Sequence, residues 1–193
     1  MKKISNFQPG DGINEDFFCL FKGKAEELTV KVMRASSGKE APGFVFEEIK
    51  RLNIQRVAAP PLSLLDDNEL DRTVRVAGVD FCRELDLEKI ERAEMGISEF
   101  EFGVAELGSL FQDASGLHTR LVSMLPPVHL ALLRTSAMVE TFADALEVIE
   151  KAYHGQLPPY LSFITGPSKT ADIERELTIG VHGPETLIII FID

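Results

Sequence analysis

The chain has 193 residues, 45% of them hydrophobic, and 20 basic against 31 acidic side chains give it a formal charge of −11. That is enough apolar material for one ordinary core, while the charge opposes a nucleic-acid backbone, since no basic run is longer than Lys2-Lys3 or Lys50-Arg51. Its two cysteines, Cys19 and Cys82, lie far from each other and from any histidine at ligand spacing, which excludes a zinc knuckle or an iron–sulfur cluster held by this chain's thiolates alone.

The basic start Met1-Lys2-Lys3 is not followed by the apolar stretch of a secretory leader. The longest apolar run, Leu187 to Ile192, is far short of the roughly 20 residues of a membrane helix, so a cytoplasmic protein is expected. From Asn14 to about Arg34, Phe17, Phe18, Phe21, Leu28, Val32 and Met33 recur near helical spacing and predict a helix, broken at Gly23. A second helix is expected over Phe44–Leu52, then a short buried strand over Arg56–Ala59, ended by Pro60-Pro61. Asp66-Asp67-Asn68-Glu69 suits a helix start because carboxylates favour the positive end of the helix dipole, and Gly78 marks its stop before a strand at Val79–Cys82.

Between Glu94 and Phe111, Gly96, Gly103 and Gly108 divide short apolar pieces, which predicts strand ends, a tight turn and close backbone approach. Val128-His129-Leu130-Ala131-Leu132-Leu133 is apolar on both faces and fits the interior of a parallel sheet. The clearest helix follows, with Met138, Phe142, Ala145, Leu146, Ile149 and Tyr153 on one stripe, Glu147 and Lys151 paired outside, and Gly155 past its end. Leu161–Ile164 and Leu187–Ile192 complete a strand–helix–strand order. The expected fold is α/β and three-layered, a mainly parallel sheet flanked by helices, in one domain over residues 1–193 with a helical N-terminal segment.

The segment from Thr165 through Gly166, Pro167, Ser168, Lys169, Thr170, Ala171 and Asp172 to Glu174 follows a predicted strand and is expected to enter a helix or helical turn, the place where open α/β sheets bind ligands. Gly166 would let the backbone approach an anion, free amides would donate to it, and Lys169 would add a full charge. Ser168 or Thr170 capping a helix after a Gly166-Pro167 turn explains the same residues, and spacing does not choose. It is not a phosphate-binding loop of the nucleotide triphosphatases, since Ser168 and Phe163 stand where glycines are required.

His182, between glycines in Gly180-Val181-His182-Gly183-Pro184, is a candidate acid/base group. His129, on an apolar strand, reads as a core histidine or as the edge of a pocket, whereas His118 and His154 read as surface or loop residues. Glu106, amid small and apolar neighbours, is expected to be partly desolvated and suited to nucleophilic or proton-transfer work. Arg120 could clamp a carboxylate or pair with an internal acid. Asp172 and Glu174 lack a third ligand at local spacing, so no metal is expected. No nucleophile elbow, HExxH helix or complete GxGxxG occurs, and no cofactor is predicted.

Four blocks in order resemble the lactate-utilisation protein C family, the LUD domain: Ala105-Glu106-Leu107-Gly108-Ser109; Arg120-Leu121-Val122-Ser123 through Leu125-Pro126-Pro127-Val128-His129; Gly166 through Glu174; and Gly180 through Pro184. Leu107 and Ser109 stand where the resemblance leads one to expect threonines. The resemblance implies a NagB/RpiA/CoA-transferase-like fold, in a cytoplasmic bacterial protein that works beside iron–sulfur protein subunits in oxidising L-lactate to pyruvate. Two readings follow. One is an accessory subunit docking to a cluster-bearing partner; the other is a stand-alone enzyme or binder using Glu106, His182 and the Gly166–Thr170 segment on a carboxylate or phosphate ligand. CoA-transferase-like chemistry would make Glu106 the acyl acceptor. In neither reading are nucleic acid or membrane partners.

Overall fold

The computed structural model describes residues 12–167, 169–171, 177–179 and 183–193. Helix α1 (Glu15–Glu27) is capped by Asn14, whose side chain accepts from the amides of Asp16 and Phe17. It runs through Gly23, and ends at Leu28 and Thr29, the latter at φ 68°. The chain then becomes β1 (Lys31–Ala35), so the single helix expected to Arg34 is two elements. Val30 and Val32 are buried at strand spacing, and β-branched side chains favour the extended backbone.

Then follow α2 (Ala41–Leu52), β2 (Arg56–Ala58), α3 (Asp67–Val76), β3 (Asp80–Cys82), α4 (Leu87–Glu91) and β4 (Met95–Glu99). Asp66 caps α3 by accepting from the Asn68 and Glu69 amides, each at 3.1 Å, and Gly78 ends that step at φ 75°. Strand β5 (Phe102–Val104), a 3-10 turn (Ala105–Leu107) and β6 (Ser109–Asp113) account for the glycine-divided segment. The remainder is α5 (Leu117–Met124), β7 (Val128–Arg134), β8 (Met138–Val139), α6 (Phe142–Tyr153), β9 (Leu161–Ile164), β10 (Lys169–Ala171), β11 (Leu177–Ile179) and β12 (Thr186–Ile192).

Six strands form a wholly parallel sheet in the order β1-β12-β7-β4-β2-β3. The two central strands are apolar on both sides, so both sheet faces must be covered. Leu130 and Leu132 of β7 and Ile188 and Ile190 of β12 pack against Val45 and Ile49 of α2 and Leu70 and Val74 of α3. Ala131, Leu133, Ile189 and Phe191 face the other way, onto Phe21 and Ala25 of α1 and Phe102 and Phe111 of a second sheet. The expected mainly parallel sheet flanked by helices is thus present.

That second sheet was not expected. It has the order β8-β5-β6-β9, with β6 antiparallel to both β5 and β9, so Leu161–Ile164 is an edge of this sheet rather than a strand of the parallel one. Met138 likewise belongs to β8 and not to the following helix. Thr141 and Asp144 form a capping box that starts α6 at Phe142, and such a cap overrides an apolar period running on before it. The Lys151–Glu147 pair at 3.0 Å lies where expected.

Helix α5 crosses the parallel sheet over Gly96 of β4. A Cβ there would lie 1.9 Å from the Val122 carbonyl oxygen and 3.1 Å from Pro126 Cγ, so only glycine admits this backbone-on-backbone contact. Gly96→Ala is expected to lower unfolding free energy by about 2 kcal/mol or more, because helix and sheet must part to admit the methyl group; urea denaturation of both proteins measures it.

Candidate functional site

Three blocks of the sequence meet at one groove. Helix α5 contributes Arg120, Ser123 and Met124; the loop after β9 contributes Thr165, Gly166 and Pro167; and the turn before β12 contributes Gly183 and Pro184. The groove encloses about 570 Å³, within the range of small-molecule sites. Arg120 is fixed at its mouth, one nitrogen donating to the Ala114 carbonyl at 2.9 Å and the guanidinium carbon 4.1 Å from the centre of the Tyr160 ring. The guanidinium has five N–H donors, and the bond to Ala114 uses one of them.

Gly166 adopts φ 72°, and a side chain there would meet Leu28 at 3.1 Å, so the turn needs glycine both for its backbone and for its seat against the end of α1. The first block, Ala105–Ser109, touches this turn: Ser109 Oγ lies 2.5 Å from Thr165 Oγ1. After the turn the chain does not enter a helix. Lys169–Ala171 is β10, pairing antiparallel with β11, since Thr170, Thr178 and Ile179 favour the extended state over a helical start. Ser168, Asp172 and His182 lie outside the described residues.

Glu106 lies apart from the groove. It is exposed on the 3-10 turn, and its Oε1 accepts from the Phe142 amide at 2.6 Å, satisfying one of the free donors that open α6. The expected desolvation does not occur, because the apolar neighbours Val104 and Ala105 point into the core while Glu106 points out. Beside it, Leu107, Phe142 and Leu146 form exposed apolar surface.

His129 is fully buried, with Nε2 2.9 Å from Ser98 Oγ. Gln112 donates to Ser98 Oγ at 3.2 Å and to the Glu99 carbonyl at 3.0 Å, while His129 Nδ1 and Gln112 Oε1 have no partner among the described residues. Burial holds the imidazole neutral, pushing its pKa down to about 3. His118 is in the first turn of α5 rather than at a free surface, its pKa lowered by burial and then by Arg83, and His154 is the left-handed C-cap of α6. Cys19 is exposed on α1 and Cys82 is buried at the end of β3. Among the described residues, no group of three or more His, Cys, Asp or Glu is disposed to hold a metal ion, and no helix is long and apolar enough to cross a membrane.

Sequence reading did not single out Glu99, Asp113, Thr119 or Arg134, which line a crevice of about 350 Å³ at the carboxyl ends of β2, β4 and β7. The signal available was position: Glu99, Asp113 and Arg134 each end a strand and Thr119 lies in the first turn of α5, which becomes informative only once the strand order is known.

These features define an α/β protein with a doubly covered parallel sheet and, beside it, a mostly apolar groove that carries Arg120. The LUD domain family model matches residues 20–192, and the chain belongs to that family. An uncharacterized protein of Neisseria meningitidis is 39% identical over 59% of this chain and 50% of its own length. Lactate utilization protein C of Shouchella clausii is 33% identical over 69% of this chain and 53% of its own, and that of Bacillus subtilis 37% over 52% and 43%. The chain spans about half the length of the curated relatives it matches. A crystal structure of a DUF162 family protein from Deinococcus radiodurans shares the fold, with a TM-score of 0.67 and 21% identity over 93% of this chain and 98% of that one.

The two perturbed histidines predict an acid limb of stability. A neutral buried imidazole supports the fold fully above the unfolded value near 6.5, and that contribution falls as pH drops toward the folded value. Between pH 7.5 and 5.5, His129 should remove about 1–1.5 kcal/mol, with His118 acting in the same direction. His129→Gln should flatten this limb, as read by urea unfolding at the two pH values.

Proposed function

We propose that the chain is a lactate-utilisation protein, an accessory subunit in the oxidation of L-lactate to pyruvate by cytoplasmic iron–sulfur partner proteins, and that its groove holds a small carboxylate or phosphate-bearing ligand. The observation that carries the reading is the convergence of Arg120, Gly166 and Gly183 on one groove, in a chain whose relatives include lactate utilization C proteins. Oxidising lactate releases two electrons and two protons. With two cysteines in all, this chain lacks the four thiolates of an ordinary cluster, and on this reading the electrons pass to a cluster-bearing partner. The exposed Leu107, Phe142 and Leu146 supply apolar surface of the kind a partner covers.

In the groove, Arg120 is the anion clamp, stacked on Tyr160 and restrained by Ala114, so little freedom is lost when an anion binds. Lys169 and Thr170 belong to β10, which follows directly, and Ser168, Asp172 and His182 complete the proposed ligand set, His182 as its acid/base group. Glu106 supports the site indirectly by fixing the start of α6.

Calorimetric titration with L-lactate, pyruvate, a CoA ester and inorganic phosphate tests the groove. Saturable heat is expected for at least one of them, weakened roughly ten- to hundredfold by Arg120→Ala or Lys169→Ala, as befits removal of a charged hydrogen-bond donor. Silence with all four refutes the ligand site. The accessory role is tested separately, by lactate-dependent reduction of an acceptor in partner subunits with and without this chain. Unchanged turnover on its omission would refute that role.

A further inference from the structure

The six-stranded sheet has a point where its connections part. The chain leaving β2 turns outward to β3, whereas the chain leaving β4 crosses inward to β7, although β2 and β4 are neighbours. Diverging loops open a crevice at the carboxyl ends of such strands. Here it encloses about 350 Å³ between loop 60–64, Glu99–Glu101 and the end of β7, a volume suited to a small molecule.

Its lining has an uneven charge pattern. Arg134, exposed at the end of β7, makes no ion pair or side-chain hydrogen bond with any described residue. The carboxylates around it are engaged by backbone amides and hydroxyl groups. Glu99 accepts from the amides of Ser63 and Leu64 and from the Ser63 hydroxyl, Glu101 from the Asp113 amide at 3.0 Å, and Asp113 from the Ser115 amide and the Tyr153 hydroxyl, both at 3.0 Å. A carboxylate has about four acceptor positions, so capacity remains at Asp113. Next to Asp113, Gln112 is 1% exposed and donates to the Glu99 carbonyl, and its Oε1 has no partner among the described residues. A simple anion would gain from Arg134 and be repelled by its neighbours. A ligand that also carries a donor would satisfy both.

We propose that this crevice binds a small carboxylate bearing a hydroxyl or ammonium donor on the adjacent carbon, the carboxylate seated on Arg134 and the donor on the acidic wall that includes Asp113. The proposal is independent of the Arg120 groove. Its two ligand sources, a 2-hydroxy acid and an amino acid, share this chemistry and differ in the charge of the donor.

The test is calorimetry of the full chain with L-lactate, L-alanine and propionate, the last lacking the donor. Saturable binding of L-lactate or L-alanine is expected, with propionate at least about tenfold weaker. Arg134→Ala should weaken the bound compound roughly ten- to hundredfold, and being exposed and unpaired it should leave the thermal midpoint in place. Arg120→Ala should change that affinity less than about twofold, so failure of the groove reading and failure of this one are distinguishable. Absence of binding by both donors, equal binding of propionate, or binding that survives Arg134→Ala overturns the proposal.

Discussion

The contact between α5 and Gly96 fixes much of what this molecule can do. A helix normally rides on side chains some distance above a sheet, but here the Val122 carbonyl comes down onto a residue with no side chain. The helix is thereby pinned against β4, and Ala58, Ile90 and Val122 close a small core beneath it. Its two flanks then project in fixed directions, Thr119 toward the switch-point crevice and Arg120 and Ser123 toward the groove. One backbone approach sets the spacing of both cavities. Loss of that approach would loosen both without touching a lining residue.

The second determinant is how acidic side chains are used. A chain of formal charge −11 must place many carboxylates without mutual repulsion, and several are tied to backbone amides instead of cations. Glu99 holds the loop after β2, Glu106 opens α6, and Asp66 and Asp144 cap helices. Glu48 is the contrasting case, almost fully buried and bound by Lys31 and Arg51, which outweigh its burial and keep it ionised. Carboxylates engaged with amides leave nearby cations unpaired, and this is how Arg134 stands among acids without a bond to them.

Much of the scaffold could be read from the residues because the burial pattern and the local pattern agree. Strands β7 and β12 are apolar on both faces, and Thr141 with Asp144 states a helix start. Reading failed where tertiary pairing decides. Val32 and Met33 belong to a strand because β12 is there to pair with, although with Leu28 they also fit a helical stripe. Leu161–Ile164 lies in a second sheet because β6 offers an antiparallel edge, and nothing local distinguishes that from a parallel neighbour. Lys169–Ala171 became extended by the same kind of pairing, with β11.

The candidate site divides along the same line. Arg120, Gly166 and Gly183 were singled out by residue type and order, and folding brings them together. Glu106 was singled out for its apolar neighbours, but on a 3-10 turn with three residues per turn adjacent side chains point roughly 120° apart, so the burial of Ala105 says nothing of Glu106. Arg134 carried no local signal at all. Its significance comes from ending a central strand beside the place where chain connections diverge, a property of strand order rather than of any short stretch of sequence. Function in this fold is therefore read best in two passes: residue chemistry marks the groove, and topology marks the crevice.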